Sequence, residues 1–271
     1  MLASAIILFR EVLEAALIVA IVMGASRGLP GRGHWVLGGI GLGLLGATLV
    51  AALAATATSW LSGDGQAVFN AGILLAAVGM LTWHNVWMSS HAQQLRTELS
   101  AVGAQVREGN KPLMALLVVT AAAILREGSE AALFLWALMA GGGSGVDMVI
   151  GGIAGLVTGV MAGVLLYRGL LRIPVRYFFT VTRWLLLFIA AGLSAQAAGF
   201  LNQAGWVPAL GQGIWNTSRW LDQNSLMGQL MHILVGYMAK PTGIQVLFYG
   251  VTLLGILTLM YLPQKPRKSA Q

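Results

Sequence analysis

The chain has 271 residues, 57% of them apolar and only 9% charged, with a mean hydropathy of +0.78. Soluble domains carry about 25% charged residues, so a water-exposed globular enzyme is excluded and an integral membrane protein is implied. Cysteine is absent. That rules out a disulfide scaffold, a thiolate zinc site or an iron–sulfur cluster held by this chain, and leaves oxygen and nitrogen as the available metal ligands. The net charge of +7 would suggest nucleic acid in a soluble chain, but in a membrane protein basic residues mark the cytoplasmic loops. No nucleic-acid partner is expected; the lipid bilayer is.

Apolar runs of about 20 residues, the length needed to span a bilayer, occur at 2–26, 35–58, 68–89, 113–140, 147–167, 177–200 and 243–262. No basic stretch precedes the first run, so it reads as a retained helix and not as a cleaved signal. Twelve of the sixteen Lys and Arg residues fall after spans 1, 3, 5 and 7, whereas the opposite loops hold only Arg219 and Lys240. This asymmetry predicts an N-terminus outside and a C-terminus inside the cytoplasmic membrane. Residues 201–241 are irregular, and their apolar run from Leu226 to Met238 is too short to span. They read as an outer cap with interfacial helices, in which His232 is expected at the surface.

The chain repeats itself. Residues 10–17 read REVLEAAL and residues 126–133 read REGSEAAL, an offset of 116. The same ungapped offset maps Met23 on Met139, Gly39 on Gly155, Gly43 on Gly159 and Ala47 on Gly163; Gly79 matches Gly192 after a three-residue slip. Three spans are an odd number, so the second unit enters from the opposite side, which is the inverted-repeat build of many secondary transporters. The expected fold is all-α and integral to the membrane: seven transmembrane helices, as an inverted 3+3 repeat plus one C-terminal helix. The expected units are 1–112, 113–200, an outer cap at 201–242, and 243–271 with the seventh helix and basic tail. Glycines four residues apart in spans 2 and 5 (Gly39 and Gly43; Gly151, Gly155, Gly159 and Gly163) predict close helix packing in lipid.

RExxE on a soluble helix carries no information. Here Arg10, Glu11, Glu14, Arg126, Glu127 and Glu130 lie inside apolar spans, where each charge costs roughly 2.5–3.5 kcal/mol on insertion scales. They must face the protein interior, pair, or line water. Glu11 and Glu14 are three residues apart and share a helix face; Arg10 and Glu14 are four apart and can pair. Span 4 repeats the pattern. At 1.5 Å per residue, Glu11 and Glu14 lie about 13–18 Å below the outer end of their span, and Glu127 and Glu130 about 15–20 Å below the outer end of theirs. The four carboxylates therefore meet at one level. Four glutamates and two arginines leave a formal −2, which attracts a hard cation to oxygen ligands. A salt-bridged seam that merely glues spans 1 and 4 is the alternative, but an apolar seam would do that without desolvating charge.

At this point the residues resemble a known family. REVLE at 10–14 and REGSE at 126–130 resemble the paired RExxE motifs of the oxidase-coupled high-affinity iron permeases. TWHNVWMSSHAQ at 82–93 and ILVGYMAKP at 233–241 resemble that family's third span and the segment before its last one. The resemblance implies a seven-span permease that moves iron inward, not an enzyme, with no permanently bound cofactor. It also implies an extracytoplasmic partner that oxidises or delivers iron. It assigns metal binding to Glu11, Glu14, Glu127 and Glu130, with Arg10 and Arg126 as supporting motif residues.

Span 3 places Met80, His84, Met88 and His91 on roughly one face, either as a secondary metal relay or as interfacial residues beside the belt tryptophans Trp83 and Trp87. Asp64, Asp147 and Asp222 lie on the outer side, where Asp147 either caps span 5 or contributes to a cation funnel. Two other functions compete. One is a transporter of another cation, with the glutamates as a proton relay. The other is a haem-bearing redox protein, weakened because His84 and His91, the only histidines in or near a span, share one helix.

Overall fold

The computed structural model describes residues 1–59, 65–168, 175–223 and 225–261. Among the described residues the chain is all-helical, with no strand. The helices are α1 (Leu2–Ala25), α2 (Arg32–Ser59), α3 (Gln66–Arg107), α4 (Met114–Ala140), α5 (Gly145–Tyr167), α6 (Val175–Gln203), α7 (Leu226–Val235) and α8 (Gly243–Tyr261). Five of them, α2, α3, α5, α6 and α8, contain stretches long and apolar enough to cross a membrane. With 24 and 27 residues, α1 and α4 are also long enough; each carries the three charged residues of an RExxE motif.

Two apolar clusters organise the interior. The first gathers Ile7 from α1, Ala71, Leu74, Ala77 and Leu81 from α3, Phe134 and Ala137 from α4, and a row of α6 residues from Leu186 to Ala197. The second gathers Ile18 and Val22 from α1, Val36 from α2, Leu99 and Val106 from α3, and Leu116 from α4. Along the chain, α1 and α3 pass from the first cluster to the second, and α4 passes from the second to the first. The two motif helices therefore run in opposite directions, and the level between the clusters is where their charged residues fall.

The long contacts are exchanged between the two halves. Helix α2 packs along α4, α5 along α1, and α3 along α6. Glycine makes the first two possible. A Cβ on Gly39 would lie 2.7 Å from the Leu117 carbonyl oxygen, and one on Gly43 2.8 Å from that of Ala121. On the other side a Cβ on Gly155 would lie 2.9 Å from the Phe9 amide nitrogen, and one on Gly159 3.0 Å from the Phe9 carbonyl oxygen. Backbone meets backbone at both ridges, which is how small residues stabilise helix pairs in lipid. The ridges' other flanks, including Leu42, Leu45, Leu49, Val149, Ile153 and Val157, are exposed, as lipid-facing residues must be.

Helix α3 departs from expectation. The apolar run ends near 89, yet the helix continues to Arg107 and spans 42 residues, about 63 Å at 1.5 Å per residue and twice the roughly 30 Å hydrocarbon core. The stretch read as an inner loop is thus largely helical. It is rich in strong helix formers, carries a Gln94–Glu98 hydrogen bond one turn apart at 3.0 Å, and is held down by Leu99 and Val106.

The cap segment contains one short helix, α7, as its composition predicts. Ser225 Oγ caps it by accepting from the Gly228 amide at 3.0 Å. Gly236 ends it at φ +70°, with its backbone against Gly192 of α6, a left-handed stop that glycine adopts at least cost. The basic tail with Lys265, Arg267 and Lys268, together with Arg172 and Asp64, lies outside the described residues.

Candidate metal centre

Each motif helix arranges its charges alike. On α1 the Arg10 guanidinium is 3.0 Å from Glu14 and 3.8 Å from Glu11. On α4 the Arg126 guanidinium is 3.3 Å from both Glu127 and Glu130. In both, one arginine spans the two carboxylates of its own motif, as the i, i+4 spacing requires. Ligand atoms of Glu11 on α1 and Glu130 on α4 lie within 4.8 Å of one another, so the two motifs form one cluster and not two separate sites.

Burial is deep but unequal. Arg10, Glu11, Glu14 and Glu127 are almost wholly enclosed, whereas the side chains of Glu130 and Arg126 are 14% and 34% exposed. The first motif is therefore sealed and the second partly open.

The third contributor is His84 on α3. Its Nδ1 contacts Glu130 Oε2 and its Nε2 lies 3.5 Å from Glu14 Oε2, so one imidazole ties the α1 motif to the α4 motif. Ligand atoms of Glu11, His84 and Glu130 all lie within 4.8 Å of one another, which is within the span of donors around one ion with bonds of about 2.0–2.6 Å. The next residue, Asn85, is also buried and donates to the Arg183 carbonyl oxygen on α6 at 3.2 Å. The Glu11 and Glu127 carboxyl groups accept no hydrogen bond among the described residues, and the arginine each one meets, at 3.8 and 3.3 Å, is shared with the second glutamate of its motif. Buried carboxylates with so few partners are costly, and a cation is the partner whose chemistry they fit.

Of the other span 3 candidates, only the side chain of Met80 is among the described residues. Met80 packs against the first apolar cluster, and the side chains of Met88 and His91 lie outside the described residues. Trp83 is 71% exposed, in keeping with a belt position. A haem reading has no support at His84, whose two ring nitrogens both face carboxylates. Asp147, expected on the outer side, is exposed in the first turn of α5, but the N-cap is Ser144 and makes no side-chain capping bond. His232 is only partly exposed and lines a cavity beside α6, against the surface position expected. Helix α7 folds back over α6 and turns this residue inward.

The fold and the centre define a multi-pass helical membrane protein with a buried carboxylate–imidazole cluster shared by its two motif helices. Residues 1–264 match the model of the iron permease FTR1 family, and the chain belongs to that family. It is similar to the ferrous iron permease EfeU of Escherichia coli O6:K15:H31, with 32% identity over 98% of this chain and 96% of that protein. It is also similar to the EfeU of Yersinia pestis, with 30% identity over 98% of this chain and 94% of that protein. No solved structure matches the chain.

Proposed function

We propose that the chain carries ferrous iron inward across the cytoplasmic membrane, through a single site formed by Glu11, Glu14, Glu127, Glu130 and His84. The observation that carries this is the meeting of both motifs and one imidazole between two apolar clusters. A salt-bridged seam would pair every charge. Here two arginines are shared among four glutamates, and the Glu11 and Glu127 carboxyl groups accept no hydrogen bond among the described residues; the unbalanced charge marks a place for an ion. Oxygen ligands alone suit magnesium or calcium; an imidazole shifts preference toward first-row transition metals. The relatives named as ferrous iron permeases favour the same cargo. Arg10 and Arg126 reduce the formal charge of the glutamates to −2, enough to balance a divalent ion without holding it irreversibly.

The transport architecture follows from the sequence and the packing together. With α1 and α4 counted beside the five apolar helices, seven helices span and α7 stays at the outer face. Helices α1–α3 and α4–α6 are the inverted units, and the exchanged contacts α2–α4 and α1–α5 are what a pseudo-two-fold axis between the motifs would generate. The distribution of basic residues puts the N-terminus outside. Right-side-out vesicles containing the chain and given radiolabelled iron outside should accumulate it, faster when the iron is kept ferrous than when it is ferric. Uptake no greater than in vesicles lacking the chain would end the proposal, and faster ferric uptake would overturn the assignment of redox state.

A further inference from the structure

Beyond the buried centre, a cavity of about 380 Å³ opens where the N-terminal ends of α1 and α5, the last turn of α4, α6 and α7 come together. Ser4, Asp147, Gln196 and His232 contribute polar groups to its wall. At roughly 30 Å³ per water, an ion with six waters occupies about 180 Å³, so a hydrated cation fits. The cavity lies about 10 Å from Glu11, the rise of the seven residues from Ser4, with buried Ile7 between them on α1 and Ile189 and Leu193 in the cavity wall.

Two of the side chains in the wall, Gln196 and His232, meet one another. His232 Nδ1 lies 2.7 Å from the Tyr237 carbonyl oxygen. A carbonyl only accepts, so a neutral ring carries its proton on Nδ1 and keeps its lone pair on Nε2. A backbone carbonyl behind the far nitrogen is the usual support of a metal-binding histidine. Gln196 Nε2 lies 3.2 Å from His232 Nε2, and Gln196 Oε1 is buried with no hydrogen-bond partner among the described residues. Rotation of that amide would bring a carbonyl oxygen beside the imidazole lone pair. The α1 and α5 N-termini present positive ends that oppose a cation; the Asp147 carboxylate and the carbonyl end of α4 offset them.

We propose that His232 Nε2, Gln196 Oε1 and Asp147 form an outer antechamber site that captures a partly hydrated divalent transition-metal ion before it is stripped of water. Only the identity of the cargo rests on the permease reading; the site itself is separable. A nitrogen, an amide oxygen and one carboxylate make a weaker set than the centre, as an entry site that must release its ion requires.

The test uses the full chain in nanodiscs with Mn²⁺ as a paramagnetic probe. In the Glu11→Ala/His84→Ala variant the central nitrogen ligand is gone, so an ion that still shows ¹⁴N coupling by pulsed EPR reports another histidine. One such ion per chain is expected. Adding His232→Ala should weaken its binding at least about 10-fold and abolish the coupling. Adding His232→Gln, which keeps a donor for the Tyr237 carbonyl, should do the same without disturbing the packing of α7. Coupling that survives either substitution, or no bound ion in the Glu11→Ala/His84→Ala variant, overturns the antechamber. If the outer ion is found while uptake fails, the permease reading falls and the site stands.

Discussion

Alanine at any one of Glu11, Glu14, Glu127 or Glu130 should lower iron uptake about 100-fold or more, with the protein still present in the membrane. Substituting outer-shell partners of metal ligands already costs about 10–100-fold, and these residues are proposed as ligands. Their individual consequences differ. Glu14→Ala removes the carboxylate 3.0 Å from Arg10 and leaves an arginine that is 4% exposed with only the longer 3.8 Å contact to Glu11. Breaking one partner of a buried pair costs about 3–5 kcal/mol, so this variant should also be the least stable. Glu130→Ala frees His84 from its close contact on α4 but leaves Arg126, 34% exposed, with Glu127 and water, so its loss should be confined to transport. The companion glutamines keep the size and remove the charge; uptake should fall equally while the stability difference narrows. Wild-type uptake by any two alanine variants would remove the shared site.

The second large effect lies in the packing that brings the motifs together. Gly39→Leu would drive a side chain into the Leu117 carbonyl at 2.7 Å and the Thr120 Cβ at 2.8 Å, where the obstacle is backbone and cannot rotate away. Gly41→Leu, two residues along the same helix, meets nothing within 4 Å and faces outward. Overpacking costs typically 1–3 kcal/mol, and against backbone the upper end applies. Gly39→Leu should therefore cost about 3 kcal/mol and lower the thermal-aggregation midpoint of the detergent-purified protein, while Gly41→Leu leaves it within a degree or two. Equal midpoints would mean that α2 does not lie on α4 as described. Gly155→Leu, the counterpart of Gly39 at offset 116, should behave as Gly39→Leu does.

The motif glutamates were legible in the sequence because charge inside an apolar run has few explanations and because the offset of 116 shows it twice. Their depth was legible from the rise per residue alone. The glycine ridges announced close approach but not the partner: nothing local says that α2 lies on α4 and α5 on α1, since exchange between halves is decided by tertiary packing. His84 illustrates the limit most sharply. It could be placed on a face with Met80, Met88 and His91, but not against Glu14 and Glu130, because that needs α3 to be positioned against α1 and α4 at once. The repeat gave no help, since the offset that aligns Gly79 with Gly192 sets His84 against Ala197, a residue wholly buried in the first apolar cluster. The cluster is thus less symmetric than the two sequence motifs that contribute to it. His232 escaped for a related reason: a histidine in a short amphipathic segment looks superficial until α7 is seen to fold back on α6.

The central claim is that both motifs and one imidazole hold a single ion. Its most direct test is the ferrous iron content and X-ray absorption fine structure of the His232→Gln protein, purified without oxygen so that the outer cavity does not contribute. The account predicts one iron per chain in an oxygen-rich shell with one imidazole. The ion should be lost from Glu11→Ala and from Glu127→Ala alike, and the imidazole scattering should be lost from His84→Ala. Two irons per chain, each removed by changes in only one motif, would contradict it.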